Sequence, residues 1–499
     1  MEDQHSAARP GRRRARARST GDRAPDTHST GDHSTGDRAA NAPSSPDRST
    51  GTRPAPDRSA PDRRVVLAGG LAGAAALALG VAGGAHAAGP ASGIGGAAAA
   101  TAAGAGLAAF GVLDPARAAT KGAGLLTRIE RTLGTGTAAY LPGDGWVRLT
   151  LPLSDGGPAP VTVDVLADTA RPPHGIAYLL PGGGLNFGAE FFTPGGPGDH
   201  NLAHELRRQG LLVVGVTPRE DAARAGEITA GMGLAGHRRD LAKVVAALDP
   251  VLRLPYQYAG HSAGAALALD AASHDASPRL RRVVVLDTTG PYAGDLAARA
   301  AQTRDVYAGQ LARGVYAADP GLAGLLARAV ADPGGASQAP WPPDPEQRFT
   351  HAGLAHFALI RTSVLPGAAN WIYHQGHSAG SYTFGATPAE DRFALTHTPL
   401  ATWHAAASAL GSGLLPTALM RDLAAIWAGD EKTYRIDWGR IGAEVVWVNT
   451  ELGRGDHPRG AELIRAAGNK RVAFSVVPGY GHGDAVWSAT AARDVWSLL

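Results

Sequence analysis

The sequence predicts an α/β protein: a mostly parallel, doubly wound sheet carrying a large, mainly helical insertion after its sixth strand. Three observations predict it. Short continuous apolar runs at 176–180, 211–216, 256–259, 283–286, 445–448 and 472–477 recur between helical stretches, the pattern of strands buried on both faces. Ahead of them Val161, Val163 and Val165 alternate with Thr162 and Asp164, the period of a half-exposed antiparallel strand. Between about 290 and 441 the strand signal stops, and Trp341, Trp371, Tyr373, Tyr382, Phe384, Phe393 and Trp403 collect instead.

Taken in order, 146–151 is the partner of the alternating strand, joined to it through Asp155-Gly156-Gly157-Pro158. Between two of the apolar runs, Leu234, Leu241, Val244, Val245 and Leu248 share one helical face, and Asp249-Pro250 is expected to stop that helix. The organisation expected is a core first part at 119–289, a cap at 290–441 and a core last part at 442–499.

The chain has 499 residues and is 44% hydrophobic, enough for a sizeable core. Cysteine is absent, which excludes disulfides, thiolate metal sites and cysteine nucleophiles. The basic balance (pI near 9.2) belongs to one end: residues 1–64 hold 13 Arg against 9 acidic residues, and the remainder is close to neutral. Nucleic-acid binding by the globular part therefore has no electrostatic support. Ser-Thr-Gly-Asp and Pro-Asp-Arg units repeat through 1–64 with almost no large apolar residues, so this leader is expected to be disordered and of low complexity.

From Val65 to Leu113 there is no Asp, Glu, Lys or Arg. Arg63-Arg64 stands immediately before this Ala/Gly-rich stretch, and the arrangement resembles a bacterial twin-arginine export signal. Ala85-His86-Ala87 and Ala116-Arg117-Ala118 are candidate cleavage sites. The expectation is that 65–118 exports the protein. The alternative is a membrane anchor through 65–113, since 65–84 and 93–113 are each long enough to span a bilayer.

The sharpest motif is Gly260-His261-Ser262-Ala263-Gly264, which follows an apolar strand and precedes the helix former Ala265-Ala266-Leu267-Ala268-Leu269. Such a strand–turn–helix serine is a nucleophile elbow, where the serine is strained and flanking side chains must be small. An identical pentapeptide occurs at Gly376-His377-Ser378-Ala379-Gly380, but His374-Gln375 separate it from the apolar residues before it, and no helix former follows. Ser262 is therefore the expected nucleophile, and Ser378 a loop residue.

With these residues the chain resembles the serine esterase and lipase branch of the α/β-hydrolase superfamily over roughly 140–290 and 440–499. Pro181-Gly182-Gly183-Gly184-Leu185 matches the family's oxyanion loop, with proline where many members carry histidine. The resemblance implies that backbone N–H groups of Gly184, next Gly183, and of Ala263 hold the oxyanion. It also implies that His482, in Pro478-Gly479-Tyr480-Gly481-His482-Gly483-Asp484, is the general base. For the acid, Asp456 beyond the strand at 445–448 best matches the family position, with Glu451 and Asp287 as alternatives.

Six histidines lie in the insertion: His351, His356, His374, His377, His397 and His404. His374 and His377 stand one helical turn apart, but Gly376 weakens that helix and no third metal ligand has a recognisable spacing. No metal and no organic cofactor is expected. The function expected is an exported serine hydrolase acting on small-molecule or lipid carboxylic esters through an acyl-enzyme. A peptidase or amidase of the same fold, a haloperoxidase-like activity, and a non-catalytic, membrane-tethered binding protein on the same scaffold are the alternatives.

Overall fold

The apolar runs become six parallel strands that make up one side of a nine-stranded sheet; the run at 472–477, expected to be buried on both faces, is instead the edge strand and only partly buried. In the computed structural model, which describes residues 121–134 and 137–499, the six are β4 (Gly175–Leu180), β5 (Leu211–Thr217), β6 (Tyr256–His261), β7 (Leu280–Leu286), β8 (Glu444–Thr450) and β9 (Val472–Val477). Three antiparallel strands lead into them: β1 (Ala139–Gly143), β2 (Trp146–Leu153) and β3 (Val161–Asp168). The order across the sheet is β1-β2-β3-β5-β4-β6-β7-β8-β9. The leader and the export or anchor segment expected from the sequence lie outside the described residues. Among the described residues, no helix is long and apolar enough to cross a membrane.

The continuous apolar runs have a direct cause. Along β4, Ile176, Tyr178 and Leu180 enter the hydrophobic core on one face, while Ala177 and Leu179 enter the core on the other. In β8, Val445 and Trp447 go to the first core and Val446 and Val448 to the second. A strand buried on both faces has no polar residue to alternate.

Helix α1 (Lys121–Leu133) buries Leu126, Ile129 and Leu133 on the first core. Helix α2 (Leu234–Leu252) buries the face foreseen from its spacing, but it passes through Pro250 and ends with Arg253 at φ 53°. Pro250 therefore sits inside the last turn rather than ending the helix. Helix α3 (Ala263–His274) is buried along almost its whole length behind the turn at Ser262.

The segment after β7 carries α4 (Gly294–Ala312), α5 (Leu322–Ala331), α6 (His351–Ile360), α7 (Leu400–Ser408) and α8 (Thr417–Ala428). Two antiparallel hairpins were not foreseen, Ala336–Trp341 with Asp344–Thr350 and Gly380–Thr383 with Arg392–Leu395. The strands are short, and three of the four are mostly exposed or half-exposed; Ala336–Trp341 does alternate, but its inward residues Ser337, Ala339 and Trp341 give no clear apolar period. The aromatic residues named above divide: Tyr382, Phe384 and Phe393 pack with Phe349 and Phe357 inside the insertion, whereas Tyr373 and Trp403 reach the site described next.

Candidate active site

Strand β6 ends at His261 and α3 begins at Ala263, leaving Ser262 alone at the turn with φ 58° and ψ −118°. A side chain rarely adopts that conformation, and here the surroundings impose it. The Ser262 N–H donates to the Leu286 carbonyl at 2.9 Å. A Cβ on Gly260 would lie 2.0 Å from the Gly264 carbonyl oxygen, and one on Gly264 would lie 1.9 Å from that of Leu180. Both glycines are therefore needed for the turn to close against its strand and helix.

The second pentapeptide has no such turn. Ser378 is fully buried and accepts a hydrogen bond from the Trp403 indole at 2.9 Å. The segment instead seats the loop that carries His482. The Gly376 carbonyl accepts the His482 N–H at 3.2 Å, and the His377 carbonyl accepts the Gly483 N–H at 2.8 Å. A Cβ on Gly481 would lie 2.6 Å from the Ser378 Cα, so at this point the two loops meet backbone to backbone. Buried Asp484 ties them further, accepting the N–H groups of Ala379 at 2.7 Å and Gly481 at 2.9 Å.

The carboxylate on His482 is that of Asp287, whose Oδ2 lies 2.5 Å from the imidazole Nδ1. Asp456, the residue first expected there, is exposed. Exposed Glu451 accepts the Gly479 N–H at 2.7 Å and so braces the turn before the histidine. The physical reason is the path of the chain after β8. It turns tightly back, so that the N–H groups of Thr450 (2.7 Å) and Arg454 (3.2 Å) donate to Asp287 Oδ1. A Cβ on Gly453 would fall 2.1 Å from Asp287 Oδ2. The loop that was expected to supply the acid supplies the donors that hold it. Asp287 itself follows β7 with φ 46° and is wholly buried. Burial pushes its carboxyl above the ordinary value, opposed by the Arg454 guanidinium and these N–H groups.

Of the residues expected to meet an oxyanion, Gly183 and Ala263 line the same small chamber as Ser262, whereas Gly184 lines neither chamber beside it. Gly184 takes φ 73°, and a Cβ there would face the carbonyl of Gly413 at 3.3 Å. The Gly182 N–H is already spent on Glu190 Oε2 at 2.7 Å. Glu190 was invisible to sequence reasoning. It is fully buried on a single π-turn, Gly188–Phe192, and its other oxygen pairs with His261 Nδ1. His261 Nε2 in turn donates to the His482 carbonyl at 3.0 Å. A Glu190–His261 bridge thus ties the oxyanion loop, the elbow and the histidine loop together.

Two small chambers flank Ser262. One is lined by His261, Tyr373, His377, Trp403, His482 and Trp487, and the other by Ala263, Leu415, Met420, Leu423, Trp427 and Arg454. Each is small, with a cavity volume of about 30 Å³. The insertion supplies much of both walls. Arg454 is buried with its guanidinium 4.4 Å from the Tyr373 ring centre and 5.8 Å from that of Trp427. Of the paired insertion histidines, His374 Nδ1 donates to the Glu451 carbonyl at 2.9 Å while His377 faces the chamber. Among the described residues no group of His, Asp or Glu is arranged to hold a metal ion.

Burial, with His261 and Arg454 nearby, holds the His482 imidazole well below its ordinary value. A general base must be neutral to take a proton, and a depressed value keeps it neutral to lower pH. The acid limb of a kcat/KM profile is accordingly expected below the ordinary imidazole value of about 6.5. A limb at or above about 7 would contradict this.

A parallel sheet preceded by antiparallel strands, with a strained serine between β6 and α3 and a histidine loop after the last strand, is the α/β-hydrolase fold. No family model matches the chain, and no curated protein does either. Solved structures similar to it include a protein provisionally assigned as a lipase from Sulfolobus solfataricus, at 14% identity, covering 72% of this chain and 97% of that one, with a TM-score of 0.48. The Cif epoxide hydrolase from Acinetobacter nosocomialis is 11% identical over 76% of this chain and 96% of its own, with a TM-score of 0.37. A lipase in its open form is 15% identical over 69% and 94%, with a TM-score of 0.39.

Proposed function

We propose that the protein is a serine hydrolase that cleaves carboxylic esters through an acyl-enzyme. The observation that carries this reading is an elbow serine and a histidine that line one chamber, the histidine being bound from behind by a buried carboxylate. His482 takes the proton as Ser262 attacks the ester carbonyl, and Asp287 holds the imidazole in the tautomer that can accept it. The N–H groups of Gly183 and Ala263 meet the oxyanion. His482 then returns the proton to the departing alcohol, and water repeats the sequence to release the acid. The twin arginine and charge-free segment at 63–113 support export as part of this proposal.

Two chambers of about 30 Å³ each favour short acyl groups. Against a series of p-nitrophenyl esters, the two- to four-carbon acyl groups are expected to exceed the eight-carbon group by at least about tenfold in kcat/KM. Leu415→Ala, which opens the chamber next to Gly183, should narrow that gap. A preference for long chains, or turnover of amides but not of esters, would overturn the proposal.

A further inference from the structure

His377 comes from the second pentapeptide, which the proposed mechanism uses only for its backbone. Its side chain is almost wholly buried, and no protein group hydrogen-bonds to either ring nitrogen. Buried imidazoles normally satisfy at least one nitrogen, and an unsatisfied buried polar group costs folding free energy. The ring lies in the chamber that Ser262 and His482 also line. Its centre is 5.4 Å from that of His482 and 4.4 Å from that of Tyr373.

We infer that His377 is a substrate-binding residue, taking a hydroxyl carried by the alcohol portion of the ester. This inference rests on the esterase reading above. The side of the ester follows from the chemistry. His482 protonates the departing alcohol oxygen, so the alcohol lies in the chamber that His482 lines. The acyl group then lies across Ser262, in the chamber of Ala263, Leu415 and Trp427. The kind of group follows from the ring. Burial, His482 and Arg454 keep His377 neutral, so it offers one N–H donor and one nitrogen acceptor. A hydroxyl complements both at once. The walls around it, Trp403, Trp487 and Leu185, leave an alkyl alcohol with the same apolar contacts but leave the imidazole unpaired. A site built to bind a hydroxyl discriminates strongly against the analogue that lacks it.

The test compares propyl butyrate with 2-hydroxyethyl butyrate on the full-length wild type, His377→Phe and His377→Gln. In parallel, each is labelled at Ser262 with a fluorophosphonate carrying a plain alkyl chain. The wild type is expected to favour the hydroxylated ester by at least about tenfold in kcat/KM. His377→Phe should abolish that preference by slowing the hydroxylated ester alone, leaving propyl butyrate and the labelling rate within about threefold. His377→Gln, which keeps a donor and an acceptor, should retain part of the preference. A wild type that treats both esters alike overturns the inference. So does a His377→Phe variant that slows both esters and the labelling equally, because the ring then only supports the His482 loop. Failure of the wild type to label at Ser262 would instead overturn the esterase reading beneath it.

Discussion

Replacing Asp287 by asparagine is expected to lower kcat by about four orders of magnitude, the scale known for the same change in other serine-histidine-aspartate triads. The fold should survive, because the amide oxygen can still accept the Thr450 and Arg454 N–H groups. The amide NH₂ then faces His482 Nδ1, which must become an acceptor. That places the ring proton on Nε2, where the base is needed. Asp456→Asn, at the exposed position first favoured from the sequence, should leave kcat within about twofold. Turnover of an activated ester, beside thermal unfolding of each variant, decides between the two residues. A dead Asp456→Asn and an active Asp287→Asn would reverse the assignment.

The second large effect is structural. Glu190→Ala should cost about 3–5 kcal/mol of stability, because it strands His261 in a buried site without its carboxylate. It also releases the Gly182 N–H and so loosens the loop that carries Gly183. Glu190→Gln keeps an oxygen for Gly182 and fills the same space, so it should lose clearly less. Denaturant unfolding monitored by tryptophan fluorescence measures both. A Glu190→Ala variant within about 1 kcal/mol of wild type would show that the bridge contributes little.

These two residues also mark where sequence reasoning stopped. The central strands were legible because burial on both faces leaves an uninterrupted apolar run, as in β4 and β8. The elbow was legible because close backbone approach, of Gly260 to Gly264 and of Gly264 to Leu180, fixes two glycines at a recognisable spacing around the serine. Strand β1 was not, since Ala139–Gly143 is a short edge strand containing a proline. The acid was ambiguous for a different reason. Three carboxylates follow core strands, and only the tight turn after β8 decides which one meets His482. Local sequence does not encode that decision. Glu190 gave no signal, because its partner is 71 residues away and its neighbours are apolar. The sequence set the repeated pentapeptide aside as a loop, and what it could not show is that the copy's structural content lies in its backbone and in His377.

The central claim is that Ser262 is an activated nucleophile and that Ser378, in the identical pentapeptide, is not. Full-length protein treated with a serine-reactive fluorophosphonate and mapped by mass spectrometry tests this directly. The result predicted is a single adduct on Ser262 that disappears in His482→Ala. An adduct on Ser378, or none on a folded sample, would contradict it.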